Sequence, residues 1–104
     1  MIVEERIYVL KPDCIEKFLD LYEHEGLAIQ RQYLPRPLGY FVTEIGVQFQ
    51  VIHMWGYQDY EERDRCRAAM RADPAWQAYV KKVRPLFVSQ ESRVMRPMPW
   101  SPIR

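Results

Sequence analysis

The chain has 104 residues, 48 % of them hydrophobic and 28 % charged, with a net charge of +1. That length suits one domain. Near-neutrality excludes the electrostatic excess that holds nucleic acid or an anionic lipid surface. The absence of long apolar runs excludes a bilayer-spanning helix. The opening Met1-Ile2-Val3-Glu4-Glu5-Arg6 has no basic segment followed by an apolar one, so it does not read as a secretion signal. The expectation is a cytoplasmic protein with neither nucleic-acid nor membrane partners.

Cys14 and Cys66 form no Cys-x-x-Cys motif and read as reduced thiols. His24 and His53 belong to no metal-ligand spacing, so no metal site is expected. A haem would need an axial ligand, and His53 is the one interior histidine. Neither a Gly-x-Gly-x-x-Gly nor a phosphate loop occurs. No cofactor is expected from these residues.

Residues 2–10 are β-branched and aromatic and read as a strand that Lys11-Pro12 stops. Asp13 then offers a helix cap, with Glu16 as its capping-box partner. Ile15, Phe18, Leu19 and Tyr22 follow at helical spacing. Gly26 ends or bends this helix, and residues 27–33 extend it up to Pro35 and Pro37. A second strand covers 38–45 and a third covers 48–57, joined by a tight turn at Gly46-Val47. Asp59 caps the next helix, with Glu62 at the third position. Asp73-Pro74 starts another helix, whose stripe is Trp76, Tyr79, Val80 and Val83. The run Glu61-Glu62-Arg63-Asp64-Arg65 reads as a solvated helix face. Residues 86–95 form a fourth strand. The last nine residues carry three prolines and read as an extended tail, on which Trp100 either docks against the subunit or its partner or is disordered.

The order β-α-β-β-α-β is that of an α+β, ferredoxin-like fold with one four-stranded antiparallel sheet. Alternation sorts the strand residues onto two faces. Ile7, Val9, Phe41, Ile45, Ile52, Met54, Val88 and Val94 suit the side under the helices. Arg6, Tyr8, Leu10, Tyr40, Val42, Glu44, Val51, His53, Trp55, Tyr57, Phe87, Ser89, Glu91 and Arg93 fall on the other. Leaving Leu10, Val42, Val51, Trp55 and Phe87 in water would forfeit roughly 1.5–3 kcal/mol each. A second copy, sheet against sheet, is the simplest cover.

Three stretches, Glu5-Arg6-Ile7-Tyr8-Val9-Leu10-Lys11-Pro12, Val51-Ile52-His53-Met54-Trp55-Gly56-Tyr57 and Asp73-Pro74-Ala75-Trp76-Gln77-Ala78-Tyr79, together resemble the NIPSNAP family. The resemblance covers a domain of residues 1–95 and leaves a proline-rich tail of residues 96–104. It implies a dimeric α/β-barrel, in which two ferredoxin-like sheets enclose one interior. The family has no established reaction. Related dimeric barrels include cofactor-free oxygenases, haem-degrading enzymes and isomerases, and no catalytic residue is carried over from them.

Two functions follow as expectations. The first is a metal-free small-molecule enzyme acting in the barrel interior. There Arg6 would anchor an anionic group and His53 would shuttle a proton. Tyr8 or Tyr40 would orient the substrate. Trp55 would pack or stack, and Glu91 would hold Arg6 or His53. The alternative is a non-catalytic ligand-binding or protein-interaction module with a satisfied dimer core.

Overall fold

The computed structural model describes all 104 residues. Four strands run β1 (Ile2–Leu10), β2 (Arg36–Val42), β3 (Gln50–Tyr57) and β4 (Phe87–Met95). They form one sheet of order β2-β3-β1-β4, every pairing antiparallel. The helices are α1 (Ile15–Leu21), α2 (Leu27–Tyr33), α3 (Tyr60–Ala72) and α4 (Pro74–Val83). A π-helical turn (Tyr22–Gly26) joins α1 to α2, and a 3-10 turn (Arg84–Leu86) leads from α4 into β4. This is the expected α+β, ferredoxin-like plan. No helix is long and apolar enough to cross a membrane.

Local chemistry explains most boundaries. Asp59 accepts a 2.8 Å hydrogen bond from the Glu62 amide, and Asp73 accepts one of 2.8 Å from the Ala75 amide, with Pro74 in the first turn of α4. The expected Asp13 cap is absent. Cys14 occupies the N-cap position of α1 and makes no side-chain capping bond. A turn closed by the Cys14 amide on the Lys11 carbonyl, at 2.9 Å, brings the chain into the helix instead.

The connection between β2 and β3 is also longer than expected. Strand β2 begins at Arg36 and ends at Val42, and residues 43–49 form a loop rather than a two-residue turn. Gly46 (φ +136°) and Phe49 (φ +58°) take up the reversal. Pro37 is tolerated in β2 because that strand lies at the sheet edge.

The assignment of sheet faces is the reverse of the expectation. Tyr8, Leu10 and Val51 pack with Phe18, Tyr22, Tyr79, Val83 and Leu86, beneath the helices. Trp55 and Tyr57 pack with Leu34 and Met70. Arg6, His53 and Tyr40 share this face by alternation. Polarity was the wrong guide, because volume and partners decide burial. Rings and long side chains fill the space up to the helices, and helix arginines satisfy the ionic groups on the sheet. The shorter aliphatic set, Val3, Ile7, Val9, Ile52 and Met54, lies on the open face. Leu10, Val51, Trp55 and Phe87 are therefore covered by the chain's own helices and do not require a second copy.

Strand β4 departs further. The register shifts between Val9 and Leu10, so that Glu91 sits opposite Ile7 and Ser92 opposite Arg6. The shift places Phe87 on the helix side but Ser89, Glu91 and Arg93 on the open face. Phe41 (54 % exposed) and Val88 (64 %) leave apolar surface uncovered. The tail folds back so that Pro97, Ser101 and Ile103 approach Val3 and Met54 at one end of that face. Trp100 is largely exposed and does not bury itself on its own subunit.

Candidate functional site

A cavity of about 540 Å³ lies between the helix-facing side of the sheet and the helices. Its floor is Arg6 and Tyr8 of β1, His53 of β3 and Phe87 of β4. Phe18, Tyr22, Gln30, Trp76 and Tyr79 form aromatic and amide walls. Arg63, Arg67 and Arg71 of α3, with Lys81 and Arg84, complete it. The volume falls within the range of small-molecule sites. The cavity thus belongs to a single subunit and lies on the other side of the sheet from a two-sheet interior.

Glu4 organises the charged end. It is completely buried, and its Oε2 accepts hydrogen bonds from Arg63 Nη2 at 2.8 Å and Arg6 Nη1 at 3.2 Å. Arg67 Nη1 stands 3.7 Å from its Oε1. Burial pushes the Glu4 carboxyl upward. The Arg63 hydrogen bond and the charges of Arg67, Arg6 and Arg63 outweigh this and hold it below the usual carboxylate range. Arg6 also donates Nε to the Tyr8 hydroxyl at 2.8 Å and Nη1 to Ser92 Oγ at 3.1 Å. Burial opposes its charge, but Tyr8 and Glu4 hold the guanidinium firmly protonated. Arg6 is thus oriented by three neighbours, which suits it to gripping a second anion.

His53 sits in an aromatic cage. Its ring lies 4.5 Å from Tyr22, 5.1 Å from Tyr40 and 5.6 Å from Tyr8, centroid to centroid. Nδ1 is buried without a hydrogen-bond partner. Burial first, and the Arg6 charge second, depress its pKa to about 4, so the ring is neutral near pH 7. Nδ1 is closed off within the fold, so a ligand that meets this cavity-lining ring must do so through its other nitrogen, Nε2.

The π-helical turn shapes the wall. Tyr22 and Gly26 are its buried residues, and Tyr22 donates its hydroxyl hydrogen to Gln30 Oε1. A Cβ at Gly26 would meet Tyr79 Cζ at 2.6 Å, so glycine lets the Tyr79 ring lie against this turn. Such π turns recur at functional sites.

Of the expected site residues, Arg6, Tyr8 and His53 line the cavity together. Tyr40 does not reach it but supports His53 edge-on. Trp55 is fully buried beneath Leu34 and Met70 and is packing, not a ligand wall. Glu91 lies on the opposite face of the sheet, where it accepts a 3.2 Å hydrogen bond from Arg93 Nε, and holds neither Arg6 nor His53. Sequence reasoning missed Glu4, Arg63 and Arg67. The run containing Arg63 reads as solvated by its charge, yet Arg63, Arg67 and Arg71 recur at i, i+4, i+8, and the stripe also holds the buried Met70. That spacing was the available signal.

The profile of the NIPSNAP family matches residues 3–102. The chain belongs to the NIPSNAP family. Protein NipSnap homolog 1 of Danio rerio is 35 % identical over 104 residues, covering 99 % of this chain and 36 % of that protein. Protein NipSnap homolog 2 of Homo sapiens is 32 % identical, over 99 % of this chain and 35 % of that protein. The chain thus spans about a third of the length of these curated NIPSNAP relatives.

Solved structures agree. A NIPSNAP family protein from Agrobacterium tumefaciens superposes with a TM-score of 0.97 at 43 % identity, over 99 % of this chain and 98 % of the other. A NIPSNAP-like domain protein from Burkholderia xenovorans gives 0.93 at 50 % identity, over 97 % and 88 %. A putative antibiotic biosynthesis monooxygenase from Nitrosomonas europaea gives 0.69 at 12 % identity, over 94 % and 99 %, and shares the fold alone. Activity within the NIPSNAP matches is unestablished.

Proposed function

We propose that this NIPSNAP protein binds a compact organic anion with a flat body in the cavity beneath its helices, and that His53 exchanges a proton with it. One observation carries this reading. Arg6, Arg63, Arg67, Arg71, Lys81 and Arg84 are all among the eighteen lining residues, and no carboxylate is. Aromatic walls supply the flat apolar contact. His53, neutral near pH 7, lies under the influence of the Arg6 charge. An arriving anion would offset that charge, the smaller of the two causes, and raise the imidazole pKa from about 4, bringing proton exchange closer to neutral pH.

Thermal shift with benzoate and with neutral benzamide tests the binding. Benzoate should raise the midpoint, benzamide should not, and Arg6→Gln should abolish the benzoate effect. Equal response to both compounds, or none to either, rejects the reading. A second reading, binding without catalysis, is favoured by the low pKa of His53. If the imidazole titration followed by NMR stays near 4 with benzoate bound, the site binds but does not transfer protons.

We also propose that the chain pairs with a second copy through the open face of its sheet. The support is the apolar surface left by Phe41, opposite Ile52, and by Val88 of β4, not the residues under the helices. The two unpaired thiols, Cys14 and Cys66, favour a reducing, cytoplasmic setting.

A further inference from the structure

We infer that the natural ligand is a dianion, an organic molecule carrying two closely spaced negative charges on a flat body. This rests on the proposed anion cavity and adds its charge. Three guanidiniums, Arg6, Arg63 and Arg67, converge on one buried carboxylate, Glu4. The cluster therefore holds two more positive than negative charges. Asp64, the other carboxylate touching it, is exposed and reaches only Arg63, at 3.0 Å. Excess buried charge is costly unless something compensates it.

Donors without a partner belong to residues that line the cavity. Arg67 is 6 % exposed, and its contacts are the Tyr57 hydroxyl at 3.5 Å and Glu4 at 3.7 Å, both through Nη1. Its Nε and Nη2 have no hydrogen-bond partner in the protein, and neither has Nη2 of Arg6, whose Nε and Nη1 are taken by Tyr8, Glu4 and Ser92. Both side chains line the same cavity. A guanidinium presents its donors as a fork, and two forks from different elements match a phosphate monoester or a pair of carboxylates better than one carboxylate. Net charge on the whole chain is only +1, so general attraction of anions does not account for the concentration of cations here.

Calorimetric titration of the full chain at pH 7.5 with benzoate, phthalate and phenyl phosphate decides the matter. At least one of the two dianions should bind tenfold or more tightly than benzoate. Preference for phthalate identifies a dicarboxylate, and preference for phenyl phosphate identifies a phosphate monoester. Arg67→Gln should reduce the preference to threefold or less. Should that variant fail to fold, Arg67→Lys, which keeps the charge but loses the fork, should reduce the preference in the same direction. If benzoate binds and neither dianion binds more tightly, the dianion assignment is overturned and the anion cavity stands. If none of the three binds, both readings fall.

Discussion

Glu4 on β1 and Arg63 on α3 meet at 2.8 Å across 59 residues of sequence, and this contact ties the sheet to the helix over the cavity. Glu4 is completely buried and also meets Arg6 and Arg67. Removing its charge would leave three guanidiniums facing one another. Glu4→Gln should destabilise the fold by about 3–5 kcal/mol, as expected for breaking a buried ion pair from one side. Urea denaturation measures it, and a loss under 1 kcal/mol would show that the arginines relax into solvent.

Acid should weaken the fold through two groups acting in the same direction. His53 has a folded pKa of about 4 against an ordinary 6.5, so below pH 6.5 the unfolded chain binds the extra proton. Its contribution is fully present above pH 6.5 and is lost as pH falls through 4, a change of about 3 kcal/mol. Glu4, also held low, adds a loss at lower pH, below the ordinary carboxylate value of 4.5. His53→Gln should flatten the stability profile between pH 6.5 and 4. A profile identical to that of the unaltered protein would mean that His53 is not neutral in the fold.

Gly26 is set by space rather than by backbone angle. Its Cβ would stand 2.6 Å from Tyr79 Cζ and 2.9 Å from the Tyr79 hydroxyl oxygen. Gly26→Ala should cost about 1–3 kcal/mol, as overpacking does. Adding Tyr79→Leu should recover part of that loss, which a double-mutant cycle on the melting midpoints would reveal as coupling. Strict additivity would place the strain elsewhere.

The open sheet face gives a prediction about assembly. Light scattering should return about twice the 12.6 kDa chain mass at micromolar concentration. Phe41→Glu, on the exposed edge strand, should shift the protein to monomer without unfolding it, as followed by circular dichroism. A monomeric unaltered protein would end the pairing proposal.

Several features were legible because they are local. Asp59 and Asp73-Pro74 mark helix starts by hydrogen bonding and ring geometry that need no distant partner. The strands of β1 and β3 are announced by their β-branched and aromatic runs, and the loop of residues 43–49 is short enough to keep β2 and β3 adjacent. Asp13 is not the cap because a backbone turn, closed by the Cys14 amide on the Lys11 carbonyl, leads into the helix in its place.

Element types, their order and the shared alternation of Arg6, Tyr8 and His53 were thus determined by the chain itself, because propensity, capping and strand parity act over a few residues. Which face the helices cover was decided only in three dimensions. Hydropathy ranks Ile7 and Ile52 above Arg6 and His53, but Glu4 from β1 meets Arg63 and Arg67 from α3, and they neutralise part of each other's burial cost. The register shift beside Leu10 likewise moved Glu91 to the far face. Charge pairing and ladder register are long-range quantities, and they turned an expected two-sheet interior into a cavity within one subunit.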